Sequence, residues 1–331
     1  MTMGNSAWGS SDDVSREIFD AYTEAGGNFI DTADVYSSGR SEELVGRFVA
    51  ERGLRDHVVL ATKYAFNFDT SGDTNAAPNP LAGGSSRKNL HRAIDGSLKR
   101  LGTDYIDLYW MHVWDGITPV AEVVGALGDL VRAGKILYYG FSDAPAWFSA
   151  RAATLAQAHG DPAPIAMQEF YSLVSRAPER EHIPAAREVG MGLIPWSPLA
   201  YGLLTGKYGR EDTKSGGRLS GQNPFGDSLF TESNWRTVDA LREVAGELER
   251  PMAQVALAWL LGRPGVASIL LGARKIEQLH DNLAALEIAL SPEVVARLDA
   301  ATEFDLGLYG LSQIGSEGAK HAIFAGATVS A

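Results

Sequence analysis

Four polar side chains stand at or just after the ends of short apolar runs that have the composition of buried strands. Asp31 ends the run FID and Tyr36 follows in the next loop, Lys63 ends VVLATK, and His112 ends YIDLYWMH. Reduction of a carbonyl needs an acid to protonate the forming alkoxide, and tyrosine is only a weak acid at neutral pH. A lysine ammonium stabilises phenolate, and a carboxylate holds the lysine in place. Asp31, Tyr36 and Lys63 are the residue types for that task, and His112 can orient a carbonyl oxygen.

Strand-like and helix-like segments alternate along most of the chain. Short apolar runs rich in β-branched and aromatic residues predict seven strands, at 29–33, 58–63, 105–112, 137–142, 164–170, 192–197 and 267–272. Amphipathic patterns predict helices at about 12–25, 41–51, 87–100, 119–132, 145–158, 180–189, 233–249, 251–261 and 275–285. This alternation predicts an α/β fold with a parallel sheet, either an open doubly wound sheet or a (β/α)8 TIM barrel.

The position of the polar residues favours the barrel. A TIM barrel assembles its active site from the carboxyl ends of many strands. The G-x-G-x-x-G fingerprint of open dinucleotide-binding sheets does not occur in the sequence. An eighth strand would have to precede residue 12, where only residues 1–4 are available to supply it. We therefore expect a single barrel domain over residues 1–331, with a first strand that is truncated at the N-terminus.

Two long segments and the end of the chain fall outside the alternating pattern. Residues 67–86 and 209–230 are rich in Gly, Asn and Ser, and loops of this length in a compact fold are usually functional. They are predicted to be lid loops. From about residue 303 the sequence lacks a clean period, which predicts a C-terminal tail laid over the barrel or partly disordered.

Composition narrows the classes of partner. The chain of 331 residues has a net charge of −12, which argues against nucleic acid or an anionic membrane as its main partner. It has no cysteine, so disulfides and thiolate chemistry are excluded, and it contains no H-E-x-x-H motif for a metal. Its N-terminus does not resemble a signal peptide and it has no apolar run long enough to span a bilayer. A cytoplasmic protein with a small-molecule substrate is expected, and the oligomeric state stays open.

A family resemblance becomes specific at the polar residues. The segments FIDTADVYSSGRSEELVG, ATK and DLYWMH resemble the aldo-keto reductase superfamily and its catalytic tetrad. The resemblance continues through GFSD, MQEFYSL, PWSPLAYGLLTGKY and LLGARKIEQLHDNLAAL, and is strongest to the bacterial aryl-alcohol-dehydrogenase-like and potassium-channel-β-subunit-like branches. It implies NADPH-dependent reduction of an aldehyde or ketone. Tyr36 would be the acid–base, Asp31 and Lys63 its tuning pair, and His112 the group that orients the substrate.

The resemblance also implies a nicotinamide dinucleotide extended across the barrel mouth. Ser142 and Gln168 would hydrogen-bond the carboxamide, and Trp196 would stack on the nicotinamide ring. The rest of the cofactor would lie along a longer set of residues: Ser197, Pro198, Leu199, Gly202, Lys207, Arg218, Gly272, Arg274, Gln278 and Asn282. Arg274 is predicted to open a helix, and a guanidinium at a helix N-terminus suits a 2′-phosphate. NADP(H) is therefore expected rather than NAD(H).

Two positions depart from the family pattern, and the substrate pocket is less defined. Asp143 stands where Asn is common and Asp281 where Glu is common, and an ionised Asp143 could not donate to the carboxamide oxygen. Three aromatic residues could wall an apolar substrate pocket or equally pack at the barrel rim: Trp114, Phe66 and Tyr64.

Two other functions remain open at this point. The channel-β-like resemblance allows an NADPH-binding sensor that docks a partner and turns over slowly, although a complete tetrad argues mildly against it. A barrel lyase or isomerase would use Lys63 as a Schiff-base nucleophile. Pairing with Asp31 would keep Lys63 charged and poorly nucleophilic.

Overall fold

The computed structural model describes residues 3–4, 9–68, 79–213, 219 and 226–302. Six parallel strands form one sheet in chain order, with bounds β1 Phe29–Asp31, β2 Val59–Tyr64, β3 Ile106–Met111, β4 Ile136–Ser142, β5 Ala166–Phe170 and β6 Gly192–Trp196. The helices are α1 Asp12–Glu24, α2 Arg40–Glu51, α3 Arg87–Leu101, α4 Val120–Arg132, α5 Ala146–His159, α6 His182–Val189, α7 Gly226–Leu229, α8 Glu232–Glu247, α9 Met252–Leu261, α10 Ile276–Leu283 and α11 Pro292–Ala301. A helix separates each strand from the next, which confirms the predicted α/β class.

The sheet curls on itself as the strands of a barrel do. Gln168 of β5 donates a hydrogen bond from Nε2 to Oδ1 of Asp31 on β1, over 3.2 Å. In a flat sheet, four strand spacings of ~4.8 Å would hold these strands about 19 Å apart. The six strands therefore form a curled half-barrel of the predicted (β/α)8 type.

Side-chain alternation places one face of each strand inside the curl. Ala61 and Lys63 share the inner face of β2, and Leu108 and Trp110 share that of β3. Gly140 of β4 makes room for this packing, because a Cβ there would lie 2.5 Å from the Trp110 ring. The interior is thus apolar at its base, and the polar residues stand above it at the carboxyl ends of the strands.

The prediction of a regular seventh strand at 267–272 is wrong. The segment runs beside β6, where the Leu193 N–H donates to the Gly265 carbonyl and the Ala267 N–H donates to the Leu193 carbonyl. The next donor on this side of β6 would be Pro195, which has no N–H. The Leu270 N–H instead reaches the Pro195 carbonyl one residue out of step. The proline therefore interrupts the ladder while the chain stays alongside β6.

The outer edge of β1 is closed by a side chain. The Tyr22 hydroxyl donates to the Phe29 carbonyl over 3.1 Å and accepts from the Phe29 N–H over 3.3 Å. Gly27 lets the ring lie there, since a Cβ on it would be 2.3 Å from Tyr22. Among the described residues before α1, only an isolated bridge between Met3 and Ser10 is present. The truncated first strand stays a prediction.

Several predictions of organisation fall on residues that the structure describes only in part. The lid segments 67–86 and 209–230 lie partly outside the described residues, and the tail from 303 lies wholly outside them. The single domain over 1–331 stays a prediction for the same reason. Helix α11 was not predicted. No helix in the described ranges is both long and apolar enough to cross a membrane.

A glycine in α2 allows this helix to pack closely against α3. A Cβ on Gly46 would lie 2.2 Å from the Leu101 carbonyl oxygen, whereas one on Gly125 of α4 would meet nothing nearer than 3.6 Å. We expect Gly46→Ala to lower the free energy of unfolding by about 1–3 kcal/mol through overpacking. Gly125→Ala, the matched control, should raise it by up to about 1 kcal/mol through helix propensity. Urea unfolding of both variants checks this, and equal effects would contradict it.

Candidate active site

The structure brings the four predicted tetrad residues together at the carboxyl end of the half-barrel. Asp31 ends β1, Lys63 is the penultimate residue of β2, and His112 directly follows β3. Tyr36 begins a short 3-10 turn, Tyr36–Gly39, in the loop after β1. The His112 N–H donates to the Tyr64 carbonyl over 2.8 Å, which extends the β2–β3 ladder by one residue. Three neighbouring parallel strands thus position Asp31, Lys63 and His112, and the loop after β1 brings Tyr36 to them.

Lys63 is held as a buried ammonium. Its side chain is 0% exposed, forms an ion pair with Asp31, and donates to the Thr32 carbonyl over 2.8 Å. Burial opposes its charge, but the Asp31 carboxylate and Tyr36 outweigh burial, and the pKa of Lys63 lies above its ordinary value. A lysine in this state is a poor nucleophile. The geometry therefore disfavours Schiff-base chemistry at Lys63.

Tyr36 lies between the lysine and the histidine. Its hydroxyl is 3.5 Å from Nε2 of His112, and its ring centroid is 5.1 Å from Nζ of Lys63. Burial raises the pKa of Tyr36 above its ordinary value, Lys63 acts to lower it, and the Asp31 carboxylate raises it again. Lys63 therefore lowers the pKa of Tyr36, as expected, but the opposing effect of burial is larger. Tyr36 is protonated at neutral pH and can serve as a proton donor.

His112 is a neutral imidazole. Burial and the Lys63 ammonium hold the pKa of His112 well below its ordinary value. A neutral imidazole has one N–H to donate, and Nδ1 has no hydrogen-bond partner among the described residues. The ring of Phe66 packs edge-on at 4.7 Å between centroids. His112 can therefore donate a hydrogen bond toward a carbonyl beside Tyr36 without carrying charge.

The loop that carries Tyr36 rests on buried charges that the sequence reasoning missed. Glu42 is fully buried, accepts from Arg100 Nε over 2.6 Å, and accepts from the Thr62 hydroxyl over 2.7 Å. Asp34, 1% exposed, lies close enough for burial and the Glu42 charge to raise its pKa to about 7. The acidic pair in DVYSSGRSEE was the available signal, but its pairing with Arg100 depends on the fold.

A cleft of about 1170 Å³ opens above the tetrad, and Asp31, Tyr36 and His112 line it. It is also lined by every predicted cofactor residue that the structure describes: Ser142, Gln168, Trp196, Ser197, Pro198, Leu199, Gly202, Lys207, Gly272, Arg274, Gln278 and Asn282. Arg218 lies outside the described residues. The cleft runs from β4 and β5 to α10, so an extended ligand can reach from the tetrad to that helix.

One end of the cleft has donors and a ring suited to an aromatic amide. Ser142 and Gln168 are 1% and 2% exposed, and both line the cleft. The Trp196 indole stacks on Phe170 with centroids 4.9 Å apart, and its Nε1–H donates to Oδ1 of Asp143 over 3.0 Å. Phe170 covers one face of the indole. The open face of the indole fits a nicotinamide ring, and the polar groups of Ser142 and Gln168 fit its carboxamide.

The middle of the cleft is formed by an irregular loop after β6. Its backbone enters the left-handed region at Ser197, Ala200 and Tyr201, with φ values of 51°, 48° and 55°. A Cβ on Gly202 would lie 2.5 Å from Nζ of Lys207, so the glycine leaves room for the ammonium there. An ammonium at this point of the cleft suits phosphate oxygens.

The far end of the cleft corrects one detail of the sequence prediction. Arg274 does not open α10, because that helix begins at Ile276 with Lys275 as its N-cap. The Arg274 N–H instead donates to Oε1 of Gln278 over 2.9 Å, which ties the segment before the helix to its first turn. Both side chains line the cleft, so a guanidinium still stands beside the start of α10.

Only one of the three predicted substrate-pocket aromatics lines the cleft. Phe66 lines it and is 45% exposed. Tyr64 is 0% exposed and stacks on Tyr109 in the core, at 5.1 Å between centroids. Trp114 is not part of the lining and packs edge-on against Trp147 at 5.7 Å. Placement of Tyr64 in the pocket was wrong because it faces away from its neighbour Lys63.

Known proteins resemble this chain over most of its length. The model of the aldo/keto reductase family matches residues 1–303. An aryl-alcohol dehydrogenase of Phanerodontia chrysosporium, named with NADP(+), is 35% identical over 303 residues, covering 89% of this chain and 77% of that protein. A norsolorinic acid reductase of Emericella nidulans is 37% identical over 300 residues, covering 89% and 74%.

A probable aryl-alcohol dehydrogenase of Saccharomyces cerevisiae is 35% identical over 292 residues, and the match covers 88% of each chain. The curled parallel sheet and these matches lead to the same family. The chain belongs to the aldo/keto reductase family and is an oxidoreductase.

Proposed function

We propose that this protein reduces aromatic aldehydes or ketones to alcohols with NADPH as the hydride donor. The observation that carries the proposal is the meeting of the Tyr36 hydroxyl and His112 Nε2, 3.5 Å apart, at the cleft above the buried Lys63. A carbonyl oxygen placed there would face two donors at once. The reaction is reversible, so the same site would oxidise the alcohol.

Each tetrad residue has a separate task in this proposal. Bound NADPH would supply a hydride to the carbonyl carbon. Tyr36 would give its proton to the alkoxide oxygen, and the Lys63 ammonium would stabilise the phenolate left behind. Asp31 holds Lys63 in place, and neutral His112 would donate a hydrogen bond that polarises the carbonyl.

NADP(H) is preferred to NAD(H) because of the charges along the cleft. Lys207 and Arg274 both line it, at the middle and at the far end. Arg274 is placed beside the first turn of α10 by the bond from its N–H to Gln278. A guanidinium is well suited to a 2′-phosphate. The name of the Phanerodontia relative, which includes NADP(+), supports the same choice.

An aromatic substrate is supported by Phe66 and by the names of the relatives. Phe66 lines the cleft and contacts His112 edge-on, so it would flank a carbonyl held by that histidine. An aromatic ring on the substrate can pack against it. Two of the relatives are named aryl-alcohol dehydrogenases.

The test is cofactor consumption with a matched pair of substrates. Benzaldehyde and cyclohexanecarbaldehyde have the same carbon count, and we expect NADPH to be consumed faster with benzaldehyde. NADH should support less turnover than NADPH. Tight NADPH binding without turnover in a single-turnover experiment would favour the partner-docking sensor. Absence of both binding and turnover would refute the proposal.

Phe66→Ala tests the aromatic wall directly. Loss of one ring contact should lower kcat/KM for benzaldehyde about tenfold, which corresponds to about 1.4 kcal/mol. The cyclohexyl aldehyde should be less affected, since its saturated ring has no aromatic face to pack against Phe66. Ile117→Ala is the control, because Ile117 is 87% exposed and does not line the cleft. Equal losses for both aldehydes would mean that Phe66 supports the fold rather than selecting the substrate.

A further inference from the structure

Asp143 is fixed beside the aromatic end of the cleft, at the point where β4 ends. Its backbone has a φ of 43°, and its N–H donates to the Gln168 carbonyl over 3.1 Å. Its Oδ1 accepts the indole N–H of Trp196 over 3.0 Å. Backbone and side chain are therefore both held, and the carboxyl group lies at the edge of the ring on which a nicotinamide would stack.

The Asp143 side chain is a carboxylate at pH 8. The residue is open to the cleft, yet the surrounding protein displaces enough water to raise the pKa of Asp143 to about 6. The Trp196 N–H and the Lys63 ammonium act in the opposite direction. At pH 8 the carboxyl group is therefore ionised, and protonation removes its charge only as the pH falls through about 6.

Asp143 has several titratable neighbours but forms an ion pair with none of them among the described residues. Titratable groups face it from several elements: Lys63 on β2, Tyr36 in the loop after β1, and Glu169 on β5. His182 of α6 stands behind Glu169, 3.7 Å from its Oε1, and bonds the Ala144 carbonyl. Lys63 forms its ion pair with Asp31. In the described part of the chain, no ion pair is formed by Asp143.

We propose that Asp143 makes the cleft bind the oxidised cofactor, NADP⁺, more tightly than the reduced one. The inference rests on the proposed function. The nicotinamide ring carries a positive charge when oxidised and none when reduced, so a carboxylate beside the indole on which it would stack favours the oxidised form alone. Bound NADPH is thereby a stronger hydride donor than free NADPH. Release of NADP⁺ becomes slower for the same reason.

Asp143→Asn is the sharpest test, because it removes the charge and keeps the shape. Asparagine tolerates the left-handed backbone, and its amide oxygen can still accept the Trp196 N–H. Dissociation constants for NADP⁺ and NADPH are measured by calorimetry at pH 8. We expect the ratio of the NADP⁺ constant to the NADPH constant to rise about tenfold in the variant. Any hydrogen bond that asparagine gains or loses with the carboxamide cancels in this ratio.

Asp281→Asn is the matched control. It removes a negative charge from the same cleft, but at the end lined by α10. Both dissociation constants should change by the same factor, so that their ratio is unchanged. A ratio shift in Asp281→Asn as large as in Asp143→Asn would mean that the cleft's net charge, rather than Asp143, selects the oxidised form, and would overturn the inference.

The pH dependence gives an independent readout. As pH falls from 8 through 6, protonation of Asp143 should weaken NADP⁺ binding in the wild type more than in Asp143→Asn. The cofactor phosphate and the neighbouring groups titrate in the variant as well, so comparison of the two proteins removes their contribution to the pH dependence. Binding of both cofactor forms with an unchanged ratio in Asp143→Asn overturns this inference but leaves the proposed function intact. Failure of both forms to bind overturns the two together.

Discussion

Tyr36→Phe is expected to lower kcat for aldehyde reduction by about 10²- to 10⁴-fold, the range of general acid catalysis. The substitution removes one hydroxyl, the group that lies 3.5 Å from His112 Nε2. The affinity for NADPH should stay within about twofold, since the hydroxyl serves the reacting oxygen rather than the cofactor. Steady-state NADPH consumption with benzaldehyde measures the first quantity, and fluorescence titration of NADPH measures the second.

Tyr138→Phe is the control for that experiment. Tyr138 lies on β4, is 53% exposed and does not line the cleft, so loss of its hydroxyl should leave kcat unchanged. If Tyr36→Phe keeps wild-type turnover, another group delivers the proton and the assignment of Tyr36 is wrong. A large loss of NADPH affinity would instead indicate that the loop carrying Tyr36 had been displaced.

Lys63→Met should destabilise the fold as well as stop turnover. The ammonium and the Asp31 carboxylate are 0% and 7% exposed, and removal of one partner leaves the other charge buried alone. Breaking a buried pair in this way costs about 3–5 kcal/mol in the free energy of unfolding. Urea unfolding followed by circular dichroism measures the loss.

The double variant Asp31→Asn/Lys63→Met separates stability from chemistry. Removal of both charges should recover most of the lost free energy of unfolding, because no unpaired charge remains. Turnover should not recover, because no ammonium would stabilise the Tyr36 phenolate. Equal stability of the single and double variants would show that the Lys63–Asp31 pair does not account for the loss.

The positions of the tetrad were predictable because strand ends converge in any parallel barrel. Asp31, Lys63 and His112 each lie at or near a strand end, and the structure places them at one mouth. Tyr64 could have been excluded in the same way, since residues adjacent in a strand face opposite sides and Lys63 already faces inward. Trp114 lies beyond the strand end, where no alternation applies, so its contact with Trp147 was not accessible from sequence.

Other differences depended on tertiary contacts. The break beside β6 follows from Pro195, but only once it is known which neighbour Pro195 faces. The support of the Tyr36 loop depends on Arg100, which is far away in sequence. Helix α11 did carry a local signal, because Ser291 caps it and Pro292 occupies its first position. That helix could have been predicted.

The hydroxyl of Tyr22 affects how the edge of β1 could pair with a strand of another molecule. A free strand edge presents unpaired donors and acceptors on which a strand of another molecule can align. At Phe29 both groups of that edge are already bonded to Tyr22, within the same chain. An incoming strand would find no partner there unless it first displaced an aromatic ring packed over Gly27. Tyr22 thus hinders intermolecular β-pairing at this point of the β1 edge.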